Sequence, residues 1–97
     1  MYAVIFKATL KQVDDDYLQT AARLRELAKQ QYGCVDFISL QEGDREIAIS
    51  YWQNQQDILA WKADPEHRRV QALGKARWYA SYQVEVVEIL RDYDSDT

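Results

Sequence analysis

An α+β fold is what this chain predicts: one antiparallel sheet with helices packed on one face, in the ferredoxin-like order β-α-β-β-α-β. Three observations carry that prediction. Residues 2–10 alternate as a strand, residues 34–52 read as two strands around a tight turn, and a helical stretch broken at Asp64-Pro65 precedes a long last strand. An antiparallel sheet covered on one side only is the arrangement such an order produces.

The first strand, YAVIFKATL, places Tyr2, Val4, Phe6, Ala8 and Leu10 on one face and Ala3, Ile5, Lys7 and Thr9 on the other. Asp14, Asp15 and Asp16 then precede Tyr17, Leu18, Ala21, Leu24, Leu27 and Ala28, which are apolar at helical spacing. Acids at a helix start complement its dipole, so the triplet reads as a cap rather than a metal site. Gly33 ends that helix.

The second strand spans 34–41, and Glu42-Gly43-Asp44-Arg45 forms a hairpin turn with Gly43 and Asp44 suited to positive φ. The third strand, 46–52, sets Ile47, Ile49 and Tyr51 on one face. Asn54 caps a short helix containing Ile58, Leu59 and Trp61, and Asp64-Pro65 stops it and starts another. That helix is expected to end near Gly74, where glycine permits a left-handed exit. The last strand, 78–90, changes phase: Ala80, Tyr82, Val84 and Val86 share one face, then Val87 and Ile89 claim the other. A β-bulge, or a strand passing from one sheet to another, would produce such a slip. The acidic tail at 94–97 reads as frayed, leaving one domain with a core over about 2–93.

Composition excludes several functions. The net charge of −4 and a pI near 4.9 argue against nucleic acid, which requires a basic face. No apolar run approaches the ~18 residues of a membrane span, and a cytoplasmic protein with no membrane contact is expected. The single cysteine, Cys34, forms no intramolecular pair and reads as a buried thiol. A sheet with one bare apolar face favours a second copy, hence a homodimer with a barrel-like interior.

Chemistry concentrates between Trp61 and Tyr82, which hold two of the three tryptophans, the only proline and the only histidine. His67 has the one side chain whose ordinary pKa lies near neutrality, so it is the candidate proton acceptor; its place after Asp64-Pro65 also allows a local bond to the cap. Arg68 and Arg69 read as helix-face charge. Core packing explains Trp61, Trp78 and Tyr82 as well as stacking on a substrate ring does. Trp78 and Tyr82 are expected on one strand face, with Tyr79 opposite and Arg77 at a pocket mouth. No phosphate loop, nucleophile elbow or zinc pair is present, so no metal and no cofactor is expected.

With that element order, Tyr51-Trp52 ending a strand, and the spacing Trp61…Pro65-Glu66-His67-Arg68…Gly74…Trp78-Tyr79…Tyr82, the chain resembles the antibiotic biosynthesis monooxygenase family over about residues 2–93. The resemblance implies a dimeric α/β barrel in which each C-terminal strand reaches across to its partner. It also implies a cofactor-independent monooxygenase acting on a small aromatic, quinol or polyketide-like compound. The alternative is a non-catalytic small-molecule-binding or stress-response dimer of the same fold.

In that family's cofactor-free chemistry the deprotonated substrate itself passes an electron to O2, and the protein supplies a dry aromatic pocket, a proton acceptor and an oxyanion donor. Trp61 matches the helix tryptophan that lines the family pocket. Gln71 stands where haem-degrading relatives have an axial histidine, and Phe6, Lys7 and Thr9 occupy a strand where they have an asparagine, so haem degradation is disfavoured. His67 lies near a tyrosine of the polyketide-oxidising branch. The resulting expectation has His67 moving a proton, Trp61 and Trp78 as pocket walls, and Arg77 or Tyr82 steadying negative charge.

Overall fold

In the computed structural model, which describes residues 1–95, the chain runs β1 (Tyr2–Leu10), α1 (Asp15–Gln31), β2 (Asp36–Glu42), β3 (Arg45–Trp52), α2 (Gln55–Ala63), α3 (Pro65–Arg77) and β4 (Tyr79–Glu88). The strands form one sheet in the order β2-β3-β1-β4, every neighbouring pair antiparallel. The tail residues at 96–97 lie outside the described part.

Each helix begins where a side-chain oxygen meets an amide three residues on. Asp14 accepts from the Tyr17 N–H at 2.8 Å, Asn54 from the Asp57 N–H at 2.9 Å, and Asp64 from the His67 N–H at 2.9 Å with Pro65 at the first helical position. α1 closes as expected: Gly33 takes a φ of 78°, and the Cys34 N–H returns to the Ala28 carbonyl at 3.1 Å. The β2–β3 turn uses positive φ at Gly43 alone, because a two-residue hairpin with glycine first needs only that residue left-handed.

Two expectations for the C-terminal half are corrected. α3 passes through Gly74 and ends at Arg77, so Gly74 is no cap. A β-carbon there would stand 2.5 Å from Cε2 of Tyr79, and the glycine therefore admits the Tyr79 ring against the helix. The bulge falls at the start of β4, not at its change of phase. Leu10 pairs with Tyr79 and Thr9 with Ser81, which leaves Ala80 extra, and the register is then unbroken to Glu88. The inserted residue turns Tyr79 onto the same face as Tyr82, where alternation had set them apart.

Helices cover the sheet face that carries Tyr2, Val4, Phe6, Ala8 and Leu10 of β1. Through the pairing register, the covered residues of β3 are Glu46, Ala48, Ser50 and Trp52, whereas Ile47, Ile49 and Tyr51 face the open side. Trp52 and Trp78 are fully buried and anchor two core clusters, one with Ala28, Cys34, Ile58 and Trp61, the other with Leu10, Tyr17 and Val70. Leu18 and Leu59, read as part of apolar helix faces, are exposed. No helix among the described residues is long and apolar enough to cross a membrane.

Candidate functional site

The break between α2 and α3 creates the first chemical cluster. Asp64 has extended backbone, φ −58° and ψ 129°, so α3 leaves at an angle and its first turn folds back onto the end of α2. His67 thereby stacks on Trp61, with ring centroids 4.1 Å apart and planes 13° from parallel. Its Nδ1 lies 3.0 Å from the Trp61 carbonyl oxygen. A carbonyl only accepts, so the neutral imidazole carries its hydrogen on Nδ1 and leaves the Nε2 lone pair free. Burial pushes the His67 pKa below its ordinary value, outweighing the opposite pull of the Trp61 carbonyl and Asp64.

Asp64 joins three elements. One carboxylate oxygen caps α3, and the other receives the Tyr32 hydroxyl at 2.5 Å from the C-cap of α1. The Tyr32 bond, then the His67 amide, hold the Asp64 carboxyl below its usual range, while the same bond raises the Tyr32 phenol. The Tyr32 ring lies tilted over Trp61 at 5.4 Å. The result is a neutral, oriented base on an indole platform.

A second cluster forms between α1, the sheet and the start of β4. Glu46, only 8% exposed, receives the Tyr17 hydroxyl on one carboxylate oxygen and the Ser39 hydroxyl, at 3.1 Å, on the other. The Tyr17 ring also meets the Tyr79 ring edge-on at 6.0 Å, and burial raises both phenols. Around them, Phe6 meets Tyr79 at 5.3 Å and Tyr82 at 5.5 Å, and Tyr17 meets Trp78 edge-on at 5.1 Å.

The residues singled out by sequence therefore divide. Trp61 and His67 come together, and Trp78 and Tyr82 belong to the second cluster. Trp78 is 1% exposed and packs in the core, with no partner for its indole N–H among the described residues, rather than standing on an open pocket wall. Arg77 is drawn to the acidic start of α1, where it pairs with Asp14 at 3.1 Å and Asp16 at 3.2 Å. Sequence reasoning missed Glu46, Tyr17 and Tyr32 as polar partners. One signal was available for Glu46: it shares the strand parity of Trp52, the residue of β3 most in need of burial.

One cavity borders the second cluster, and another lies away from both, on the far side of the sheet. The first, of about 480 Å³, is lined by Lys75, Tyr79, Ala80, Ser81 and Tyr82 at the edge of the second cluster. The other, about 560 Å³, lies on the open sheet face over Ala3, Ile5, Ile38, Ile49 and Tyr51. Among the described residues no group of His, Cys, Asp and Glu has the makings of a metal site, and Asp14 serves as a helix cap.

Comparison with known proteins gives a consistent picture. The family described as Antibiotic biosynthesis monooxygenase matches residues 1–73. The uncharacterized protein YqjZ of Bacillus subtilis (strain 168) is 37% identical over 91 residues, covering 93% of this chain and 80% of that protein. Among solved structures, SnoaB, a cofactor-independent oxygenase from Streptomyces nogalater, in its N63A mutant form, superposes with a TM-score of 0.80 at 15% identity, over 94% of both chains. Rv0793 from Mycobacterium tuberculosis gives a TM-score of 0.80 at 12% identity, over 96% of this chain and 98% of that one. These likenesses establish the fold, and the family match together with the 37% identity establishes kinship: the chain belongs to the antibiotic biosynthesis monooxygenase family.

Proposed function

We propose that the protein is a cofactor-independent monooxygenase of a small aromatic, quinol or polyketide-like compound, working as a homodimer. The observation that carries this reading is His67: stacked on Trp61, held through Nδ1 and kept neutral by burial, it presents Nε2 as a base. Family membership supports it, as does the fold shared with SnoaB.

Nε2 takes a proton from an activated C–H or O–H of the substrate. The resulting anion gives one electron to O2, forming a substrate radical and superoxide, which combine as a peroxide anion. Protonation of that peroxide at an activated methylene, followed by loss of water, leaves a carbonyl. One oxygen atom is thus retained and the other leaves as water, with the substrate as the only reductant. The low-dielectric aromatic surroundings of His67 favour the charge-spread anion over a localised one.

Oxygen consumption with a panel of anthrones and hydroquinones tests the activity. Turnover well above the buffer blank, falling by about 10²–10⁴-fold in His67→Ala, is expected for loss of a general base. An active enzyme whose rate and pH profile survive that change would remove His67 from the mechanism. Tryptophan quenching by the same compounds without oxygen uptake would favour the binding-module reading instead.

The dimer belongs to this proposal because of the open sheet face, where Ile38, Leu40 and Ile47 are 42%, 71% and 46% exposed beside the larger cavity. A second copy of the same face is the simplest cover. Light scattering should give twice the 11.4 kDa chain mass at micromolar concentration.

A further inference from the structure

The break between α2 and α3 does more than end one helix and begin another. A cap needs a single side-chain oxygen, and Asn54 starts α2 with one. Asp64 uses two. Its Oδ1 receives the His67 N–H at 2.9 Å, and its Oδ2 receives the Tyr32 hydroxyl at 2.5 Å from 32 positions back in the chain. A hydroxyl donating to a carboxylate is short, charge-assisted and directional, so it fixes the group it reaches.

Tyr32 itself stands on fixed backbone. It is the C-cap of α1, where its N–H and that of Cys34 both return to the Ala28 carbonyl and the adjoining Gly33 takes a φ of 78°. Its ring packs on the core cluster of Ala28, Trp52 and Trp61. Tyr32 therefore meets Trp61 with its ring and Asp64 with its hydroxyl, and His67 meets the same two residues. The Trp61 carbonyl closes the arrangement: it accepts from the Asp64 N–H at 3.1 Å, while His67 Nδ1 lies 3.0 Å away. A second tie runs from α1 to the first turn of α3, the ion pair of Arg23 with Glu66. Its arginine side chain is 63% exposed, and such a pair holds little.

We propose that Tyr32 is a positioning residue: its hydroxyl, bound to Asp64, fixes the α2–α3 break so that His67 stays stacked on Trp61 with its hydrogen on Nδ1. Asparagine at position 64 would supply a cap and leave one of the two donors unanswered, so the tie, and not the cap, requires aspartate. The inference goes beyond the reading of His67 as a base and rests on it only for the effect on rate. The titratable neighbours of the ring are Asp64 at the break and Tyr32 from α1; α2 brings the uncharged Trp61 carbonyl, and Glu66 is engaged by Arg23.

Because His67 is the only histidine, its ring nitrogens give isolated NMR signals, and the test needs no turnover. Tyr32→Phe keeps the ring against Trp61 and removes the hydroxyl. In that variant the preference for hydrogen on Nδ1 should weaken, and His67 should titrate at higher pH than in the parent. Asp64 without its Tyr32 donor presents more charge to the imidazole, and a loosened turn admits water; both favour the imidazolium. Asp64→Asn should weaken the Nδ1–H preference likewise, and it decides the matter if Tyr32→Phe does not fold. Arg23→Gln combined with Glu66→Gln removes the other tie without changing net charge, and should leave both signals unmoved. Where oxygen uptake is measurable, Tyr32→Phe should lower kcat about tenfold or more with KM little changed, as expected when a reacting group is misplaced. Absence of uptake in the parent would strike the oxygenase reading and leave the NMR result to stand. The proposal is overturned if Tyr32→Phe folds with the His67 tautomer and titration unchanged, or if the Arg23–Glu66 double variant moves them as far.

Discussion

On the covered face of the sheet, β3 presents Glu46, Ala48, Ser50 and Trp52; on the open face it presents Ile47, Ile49 and Tyr51. The more apolar set is the one the helices leave bare. The covered side is held by a few large rings, and the small or polar residues between them leave room for those rings and supply hydrogen bonds. Ser50, for instance, receives the Trp52 indole N–H at 2.8 Å. Side-chain shape, rather than mean hydropathy, decides which surface a helix layer accepts. An aliphatic face left over is what a partner of the same kind would cover.

The contrast is broken or sharpened by substitution. Trp52→Ala should cost about 3–5 kcal/mol in denaturant unfolding, because a fully buried ring leaves a cavity the sheet cannot close. Ile47→Ala on the open face should cost under about 1.5 kcal/mol in a monomer, and a larger, concentration-dependent loss would show a partner resting there. Leu40→Glu with Ile47→Glu should next weaken self-association by about 100-fold or more, read as light-scattering mass, while the far-ultraviolet circular dichroism is kept. A chain that unfolded instead would mean the open face belongs to the monomer core.

Gly74→Ala should follow, with a net loss of about 1 kcal/mol: the better helix former gains roughly that much, and displacing the Tyr79 ring costs about 1–3 kcal/mol. Were the variant more stable, Tyr79 would be free to move and its packing would not matter. The smallest effect concerns pH. His67 titrates below its ordinary value of 6.5 in the fold, so the unfolded chain binds its proton first. Its contribution is fully present above about pH 6.5 and is lost as pH falls from there to the folded value. Subtracting the pH profile of His67→Gln from that of the parent should isolate this slope, and equal profiles would deny that burial keeps the ring neutral.

Much of the fold was legible locally. Asp14, Asn54 and Asp64 announced three helix starts because cap and amide lie three residues apart; that the Asp64-Pro65 break stacks His67 on Trp61 was not read from the sequence. Tyr79 was placed on the wrong face because alternation carries no mark of an inserted residue, and Gly74 looked like a helix end because glycine at a close approach and glycine at a cap read alike. Tyr17 reaches Glu46 from α1, 29 residues away, so no spacing announced it, and Ser39 reaches it across the β2–β3 hairpin, seven residues away, where strand pairing rather than local pattern sets the contact.

What the sequence by itself determined, then, is the order of elements, the helix N-caps and the hairpin turn, since these rest on contacts within one or two turns of chain. Only the tertiary structure decided which face of β3 is inside, why residue 74 is glycine, that His67 stacks on Trp61, and how Tyr17, Glu46 and Tyr79 meet. The physical reason is that packing and buried hydrogen bonds depend on which surfaces come together in space, and strand register sets that for the whole sheet at once.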